Sequence, residues 1–397
     1  MDFNFSAEEE AFRQKVRGFL AEHLPKGWGT GGFRLPEGTS EIEFARQWQR
    51  TLNDHGLLGL SWPKEYGGHG ASQAQLAIFN EEMARIRAPG PLNGLGLIMA
   101  GPVLMVHGTE EQKKRFLPKI LSCEEVWCQL FSEPNSGSDL ASLRTRGELV
   151  GDEFIVNGQK IWTTMAQISD WGMLLVRSDT TAPKHRGISY LLVDMHSPGI
   201  TVRPLRQITG GAEFNEVFFE NVRVPRANLV GGLHEGWRVA STTLSNERGT
   251  SALGVIVNFQ NLFEALVDLT RRTKRPGGAA AADPLIRQRL AQFYVDLQEL
   301  RYTAYRSLTK VLRGETPGPE GSITKLNWSE LSQRMHDFAM ETLGPASQLV
   351  KGSKSAVQNG RWQFNFLASR SATIAAGTSE VQRNAIAERI LGLPKAR

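Results

Sequence analysis

The sequence predicts an α+β multidomain chain: an N-terminal helical domain, a middle β domain built as a barrel or sandwich, and a C-terminal helical bundle. Two changes of texture carry that prediction. Apolar residues recur every three or four positions up to about residue 125, as in EEEAFRQKVRGFL and EFARQWQRTLNDHGLL, and again from about 233 onward. Between those zones lie short segments rich in Val, Ile, Leu and Phe: GDEFIVNGQKIWTT, WGMLLVRSD, GISYLLVDM, GITVRPL and FNEVFFENVRVP. The expected domains are 1–125, 126–232 and 233–397, and 397 residues suit two or three cores.

Taken in order, the first helix should open at Ser6, which has capping-box spacing to Glu9. WPKEYGGHG is a Pro/Gly turn region. GLIMAGPVLMVHG is almost wholly apolar, so its helix should be buried; Met99 and Met105 fit a core stripe or a pocket wall. EEQKKRFLPKIL reads as an amphipathic helix. In the middle zone Asn157-Gly158 signals a hairpin turn. The last zone reads as long helices interrupted by loops at Arg275–Pro284 and Gly314–Ser322. The stretch around LSNERGTSALG, Leu244 to Gly254, reads as part of one long helix.

Composition excludes several classes. A formal charge of +5 with acidic residues interspersed gives no basic arm for nucleic acid. The densest basic run, Arg271 to Arg275, fits a small polyanion such as a pyrophosphate or a helix end facing water. Cys123 and Cys128 cannot form a disulfide framework or complete a zinc set, so reduced thiols and no metal are expected. The N-terminus lacks signal-peptide character, and no apolar run reaches the length of a membrane span. A soluble cytoplasmic protein is the expectation.

The most informative segment is CQLFSEPNSGSDLASLRT, Cys128 to Thr145. A turn of small polar residues presents several backbone N–H groups and hydroxyls to one ligand, and Gly137 permits close approach to the backbone. It is neither a dinucleotide fingerprint nor a P-loop. IWTT then brings Trp162 and Thr164 off the predicted hairpin; two residues apart on a strand, they share a side. Each piece alone has a bland reading as loop or core.

Together, in this order, these segments resemble the acyl-CoA dehydrogenase family. The matching residues are Ser132, Glu133, Pro134, Gly137, Ser138, Asp139, Trp162 and Thr164. Tyr66 to Gly68, His107 to Pro118, Phe219 to Pro225 and GTSEVQRNAIAERILG at Gly377 to Gly392 extend the likeness over nearly the whole chain. The resemblance implies FAD as cofactor, with Phe131, Ser132, Gly137, Ser138, Trp162 and Thr164 at its isoalloxazine and ribityl region and Thr378 and Glu380 at its adenosine half. It also places Ser138 near the CoA chain. The family's pyrophosphate stretches are altered here to RTKRPGG and ETLGPASQ, leaving Arg272, Glu341 and Gly344 as the matches. An acidic Glu341 there would be electrostatically unhelpful.

The family's reaction needs a base for the proton next to a thioester carbonyl, donors for the charge that develops on that carbonyl, and a hydride acceptor. Many members carry the base in a loop Tyr-Glu-Gly-Thr; here that loop reads Ala375-Ala376-Gly377-Thr378. Another branch, including isovaleryl-CoA and long-chain types, mounts the base on a helix of the last domain just before an Arg, which matches Glu247-Arg248; an actinobacterial-type mixed-tetramer member is also implied. On a continuous helix Ala240, Leu244, Glu247, Ser251 and Gly254 would share one apolar or small side. A solvated helix carboxylate fits the same residues; the missing loop carboxylate favours the base. By resemblance the backbone N–H of Ala376 is an oxyanion donor, and Arg248 holds helix and loop in register beside the substrate.

The resemblance thus implies FAD-dependent α,β-dehydrogenation of an acyl-CoA, with electrons leaving to an electron-transfer-flavoprotein-type acceptor. Two alanines in place of Tyr and Glu suggest a bulky, branched or polycyclic acyl group. A homo-oligomer or a heterotetramer with a related chain is implied. Alternatives are a flavin-binding subunit of a mixed tetramer and an acyl-CoA oxidase.

Overall fold

The computed structural model describes residues 5–29, 33, 35, 37–249, 252–313, 315 and 318–395; the side chains of 245–249, 252–253 and 311 lie outside the description. The described helices, in chain order, are α1 (Ala7–His23), α2 (Glu41–Asp54), α3 (Gln73–Arg85), α4 (Gly101–His107), α5 (Glu110–Leu121), α6 (Gly236–Gly249), α7 (Ala252–Arg272), α8 (Pro284–Leu312), α9 (Gly321–Leu343), α10 (Arg361–Ser369) and α11 (Ser379–Arg389). The strands are β1 (Trp127–Leu130), β2 (Arg146–Val150), β3 (Glu153–Thr164), β4 (Trp171–Arg177), β5 (Ile188–Asp194), β6 (Ile200–Leu205), β7 (Phe214–Pro225), β8 (Leu229–Val230), β9 (Lys274–Arg275) and β10 (Gly278–Ala279). Two compact units result: Gly32–Ser72 with Pro89–Glu247, and Met1–Gly31 with Gln73–Ala88 and Arg248–Arg397. The N-terminal helices are therefore shared out, α2, α4 and α5 to the first unit and α1 and α3 to the second.

In the β-containing unit the strand order is β6-β7-β3-β2-β4-β5-β8, with β1 beside β4. A single pair, Arg146 with Arg177, joins β2 to β4. The sheet therefore folds over at that corner. Phe154, Val156, Val217 and Val222 from one half meet Leu130, Leu174, Val176 and Leu191 from the other in one core. Among the described residues the sheet does not close, so the arrangement is the sandwich and not the barrel. β5 is buried along six consecutive residues, which explains its unbroken apolar run.

Asn157-Gly158 is not a hairpin turn. β3 runs through it, and the turn lies at Gly151-Asp152, where Val150 pairs with Glu153. Asn157-Gly158 makes a register shift against β7 instead. Gly158 has φ 150°, and a Cβ there would come 2.7 Å from the Thr145 Cα, so the close approach of two backbones requires glycine. Thr109 and Gln112 form a capping box at the start of α5, and Gln112 Nε2 donates to the carbonyls of Ala227 (2.8 Å) and Leu229 (2.9 Å). The apolar segment before α5 opens with a π-helical turn at Gly96–Ala100. It buries Met99 and Leu104 but exposes Ile98 and Val106, so it is half-buried rather than fully enclosed. Cys123 and Cys128 are both free and buried, and burial pushes the Cys128 thiol up to about 12.

The helical unit has its core between α7, α8, α9 and α10, through Phe259, Leu266, Phe293, Leu297, Phe338 and Trp362. The stretch read as one long helix is helical up to Gly249 (α6) and again from Ala252 (α7); residues 250 and 251, and the side chains of the predicted stripe beyond Leu244 except Gly254, lie outside the described residues. The loop expected at Arg275–Pro284 contains the β9–β10 hairpin and a short 3-10 turn. Ser6 caps α1 as expected, its Oγ accepting from the Glu9 N–H while Glu9 Oε2 accepts from the Ser6 N–H. No described helix is long and apolar enough to cross a membrane, and no described group of His, Cys, Asp and Glu could hold a metal ion.

One carboxylate staples α1 to α3. Glu82, with no exposed side-chain surface, accepts from Arg13 (2.7 Å), Arg17 (2.9 and 3.0 Å) and Arg85 (2.9 Å). Burial alone would raise its pKa, but hydrogen bonds from the three guanidinium groups outweigh that and hold it at about 2. Glu82→Gln is expected to cost roughly 3–5 kcal/mol at neutral pH, the scale for breaking a buried ion cluster. Because the folded pKa lies below the ordinary 4.5, the contribution is complete above that value and is lost as pH falls toward 2. Denaturant unfolding of both proteins from neutral pH downward checks this: the gap should narrow below about pH 5, and a gap independent of pH refutes the assignment.

Candidate functional site

The turn after β1 is fixed from beneath. Glu133 and Ser136 exchange backbone hydrogen bonds at 3.0 Å each way, and Ser136 Oγ donates to the Asp139 carbonyl at 2.7 Å. The Glu133 carboxylate, buried, accepts from the N–H of Arg144 (2.6 Å) and Thr145 (2.8 Å) and from Lys160 Nζ (2.9 Å). Lys160, 0% exposed, also donates to the Phe131 carbonyl at 2.9 Å. Burial pushes the Lys160 amine down to about 8 against the pull of Glu133, and the Lys160 charge holds Glu133 below its ordinary range despite its own burial. Gly137 and Ser138 stand exposed above this base. A Cβ on Gly137 would meet nothing within 4 Å. Among the described residues the N–H groups of Gly137, Ser138 and Asp139 donate to no acceptor. Three successive free donors beside an open glycine suit a ligand rich in acceptors.

β3 reaches the same place. The Ile161 N–H donates to the Ser132 carbonyl at 2.9 Å, which sets Trp162 next to the turn. The strand bulges between Lys160 and Thr163, and Trp162 takes φ 60°. For a bulky residue the left-handed region costs about 1–3 kcal/mol, and such strain concentrates at functional positions. Trp162 is 59% exposed, its ring lying edge-on to Phe214 at 6.1 Å. Thr163 is buried and Thr164 half-buried, so Trp162 and Thr164 keep to the outer side. Phe131 is buried, with its ring edge-on to Tyr190 at 5.9 Å. The structure thus brings Phe131, Ser132, Gly137, Ser138 and Trp162 together.

In the helical unit the loop before α11 is held by its carbonyls. Lys325 Nζ donates to the Gly377 carbonyl at 2.6 Å, and Gln382 Nε2 donates to those of Ala376 (3.0 Å) and Gly377 (3.2 Å). Ala376 (φ 55°) and Gly377 (φ 88°) are both left-handed. The Ala376 N–H donates to nothing among the described residues, and Ala375 and Ala376 are exposed. Thr378 caps α11, its Oγ1 accepting from the Val381 N–H at 3.2 Å, and Glu380 stands exposed in the first turn.

The remaining predicted residues divide. Arg272 is exposed and pairs with Asp268 on its own helix at 2.9 Å. Arg275 instead reaches the end of α9, donating to the Glu341 carbonyl at 3.0 Å. The Glu341 carboxylate is paired with Arg289, which offsets its charge, and Gly344 follows at φ 56°. Glu247 and Arg248 lie on α6, and their side chains are outside the described residues. Sequence reasoning missed Lys160, Lys325 and Gln382. An alternating strand with a lysine at an inward position was the available signal for Lys160; the other two bond to carbonyls distant in sequence or within a loop and left no local pattern.

Comparison with known proteins was consistent along the whole chain. The models of the acyl-CoA dehydrogenase N-terminal, middle and C-terminal domains match residues 6–124, 128–222 and 234–391. Acyl-CoA dehydrogenase IpdE1 of Mycobacterium tuberculosis is 42% identical over 393 residues, covering 97% of this chain and 98% of that protein. Mitochondrial isovaleryl-CoA dehydrogenase of Pongo abelii is 30% identical over 305 residues, covering 76% and 71%. The ChsE4-ChsE5 complex from M. tuberculosis superposes with a TM-score of 0.84 at 32% identity, covering 100% of both chains. The Tcur3481-Tcur3483 steroid ACAD gives a TM-score of 0.84 at 31% identity, again over 100% of both.

Lys160→Met is expected to lower the unfolding free energy by roughly 3–5 kcal/mol, because it orphans a buried carboxylate. Adding Glu133→Gln should recover part of that loss, since an amide oxygen still accepts from Arg144 and Thr145. Chemical denaturation of the two variants decides it; equal losses would remove the ion pair as the turn's support.

Proposed function

Because this chain belongs to the acyl-CoA dehydrogenase family, we propose that it removes a proton from the α-carbon of an acyl-CoA thioester with the Glu247 carboxylate. Family members are FAD-dependent flavoproteins, and the chain is an enzyme of that kind. The donor set fits the cofactor: free N–H groups at Gly137 to Asp139 beside an exposed, flat Trp162. Phe131, Ser132, Gly137, Ser138, Trp162 and Thr164 would hold the flavin part; Thr378 and Glu380 the adenosine part; and the stretch near Arg272, Glu341 and Gly344 the pyrophosphate. When bound, FAD supplies the acceptor for the β-hydride.

The observation that carries this reading is the loop at Ala375–Gly377, which has no carboxylate yet keeps a free, rigidly held N–H at Ala376. A backbone donor stabilises the developing negative charge on the thioester oxygen whatever side chain it bears. The base must then come from elsewhere, and Glu247, followed by Arg248 on α6, is the acidic residue at the family's alternative position. Ser138 and Arg248 lie toward the substrate in this reading. The two alanines leave room for a bulky, branched or polycyclic acyl group, and the likeness to a steroid ACAD points the same way. Electrons pass to an electron-transfer-flavoprotein-type acceptor in the cytoplasm; oxygen consumption with peroxide formation would mark an oxidase instead. The likeness to the ChsE4-ChsE5 complex favours a second reading, in which this chain is one member of a mixed tetramer. Co-purification of a related second chain would separate that reading from a homo-oligomer.

Anaerobic titration with a panel of acyl-CoA thioesters tests the proposal. Bulky or branched thioesters should bleach the flavin, and Glu247→Gln should slow bleaching by roughly 10²–10⁴-fold. Undiminished bleaching in that variant, or turnover confined to short straight-chain thioesters, would overturn the base or the acyl preference respectively.

A further inference from the structure

In the helical unit α7, α9 and α10, with the chain just past α3, line a solvent-open pocket of about 390 Å³, within the size range of small-molecule sites. Arg87, just past the end of α3, and Arg361, the first residue of α10, line it with the amides of Asn258 and Asn365; Leu262 and Ala372 give it an apolar side. No Asp or Glu lines it. Among the described residues neither guanidinium makes an ion pair or a hydrogen bond. The neighbouring carboxylate, Asp337, is engaged by Arg370 at 2.7 Å. His336, also in the wall, faces the Ser332 carbonyl through Nδ1 at 2.7 Å, and burial lowers its pKa. Arg87, exposed at the rim, and half-buried Arg361 therefore face one space without a fixed counter-charge among the described residues. Burial, and then repulsion from Arg87, depress the Arg361 pKa, the signature of a charge that lacks a partner. The left-handed backbone at Arg87 (φ 54°) is a position that usually goes to glycine, yet it carries an arginine.

We propose that this cavity binds an organic oxyanion, a carboxylate or phosphate ester, with its head at Arg87 and Arg361 and its body against Leu262 and Ala372. Arginine forks match both oxyanions, and the two asparagine amides can donate to the remaining oxygens. The pocket leaves room beyond a bare phosphate, and its apolar side suits an organic body. Two sources share this chemistry: a carboxylate at the far end of the acyl group, or a free anion. The first rests on the proposed dehydrogenation, since Ala372 stands one helical turn before Ala376 in sequence.

Titration calorimetry of the FAD-loaded protein with 2-naphthoate and with inorganic phosphate tests the site. Naphthoate should bind, and bind at least about tenfold more weakly in Arg361→Gln and in Arg87→Gln, with Arg361→Lys largely restoring it. FAD content and melting temperature should stay at wild-type values. Failure of naphthoate to bind, or binding unchanged in both Gln variants, overturns the proposal; so does binding of phosphate alone. Initial rates then locate the source. A rise in KM confined to ω-carboxylated thioesters in Arg361→Gln assigns the acyl end, whereas equal rates for carboxylated and methyl-ended thioesters, with naphthoate binding lost, assign a free anion. If no thioester is turned over, the dehydrogenase reading falls and the calorimetric result stands by itself.

Discussion

A lysine with no access to water, bonded to one carboxylate and one carbonyl, sets the conformation of the turn after β1. Lys160 and Glu133 are costly to bury, and their mutual attraction does little more than offset that cost. What the pair supplies is direction. Glu133 also takes the N–H groups of Arg144 and Thr145, and Lys160 takes the Phe131 carbonyl. With the inward-facing groups satisfied, the outward-facing N–H groups of residues 137–139 are left without internal partners. β3 carries both Lys160 and Trp162, so the strand that anchors the turn also positions the aromatic surface beside it. The bulge between them follows: the lysine must point in, the tryptophan out, and strict alternation over two residues would turn both the same way.

The same economy recurs in the helical unit. The loop at Ala376 and Gly377 places two left-handed residues in succession, which turns its carbonyls toward Lys325 and Gln382. Two side chains thus take the carbonyls, while the Ala376 N–H has no partner among the described residues. In each unit a polar side chain spends its hydrogen bonds on one side of a loop, and the loop presents unpaired N–H groups on the other.

The fold was largely legible because periodicity is a bulk property of a segment. The α–β–α texture, the Ser6 capping box and the polar turn at residues 132–139 all reappear in the structure. What failed were local signals overruled by distant contacts. Asn157-Gly158 has the composition of a hairpin turn, but β3 runs through it with a register shift against β7, and Thr145 lies too close for any Cβ at Gly158. The barrel was an equal alternative because strand spacing does not reveal that one residue pair joins the two halves. Lys160, Lys325 and Gln382 were invisible for a related reason. Their partners include main-chain carbonyls 29, 52 and 6 residues away, and carbonyls carry no sequence identity.

That asymmetry between main chain and side chain bears on how an active site changes while its fold persists. A donor supplied by the peptide backbone survives any substitution that keeps the backbone path, and the path here is enforced from outside by Lys325 and Gln382. A base supplied by a side chain survives only where its carboxylate remains. At Ala375 and Ala376 the two requirements have come apart: the free N–H is present and the carboxylate is not. In the proposed reading Glu247 supplies the carboxylate instead, and the charge stabilisation that the chemistry demands does not depend on the side chains of the loop. On that reading the loop conformation, rather than the residues written in it, is what the chemistry requires.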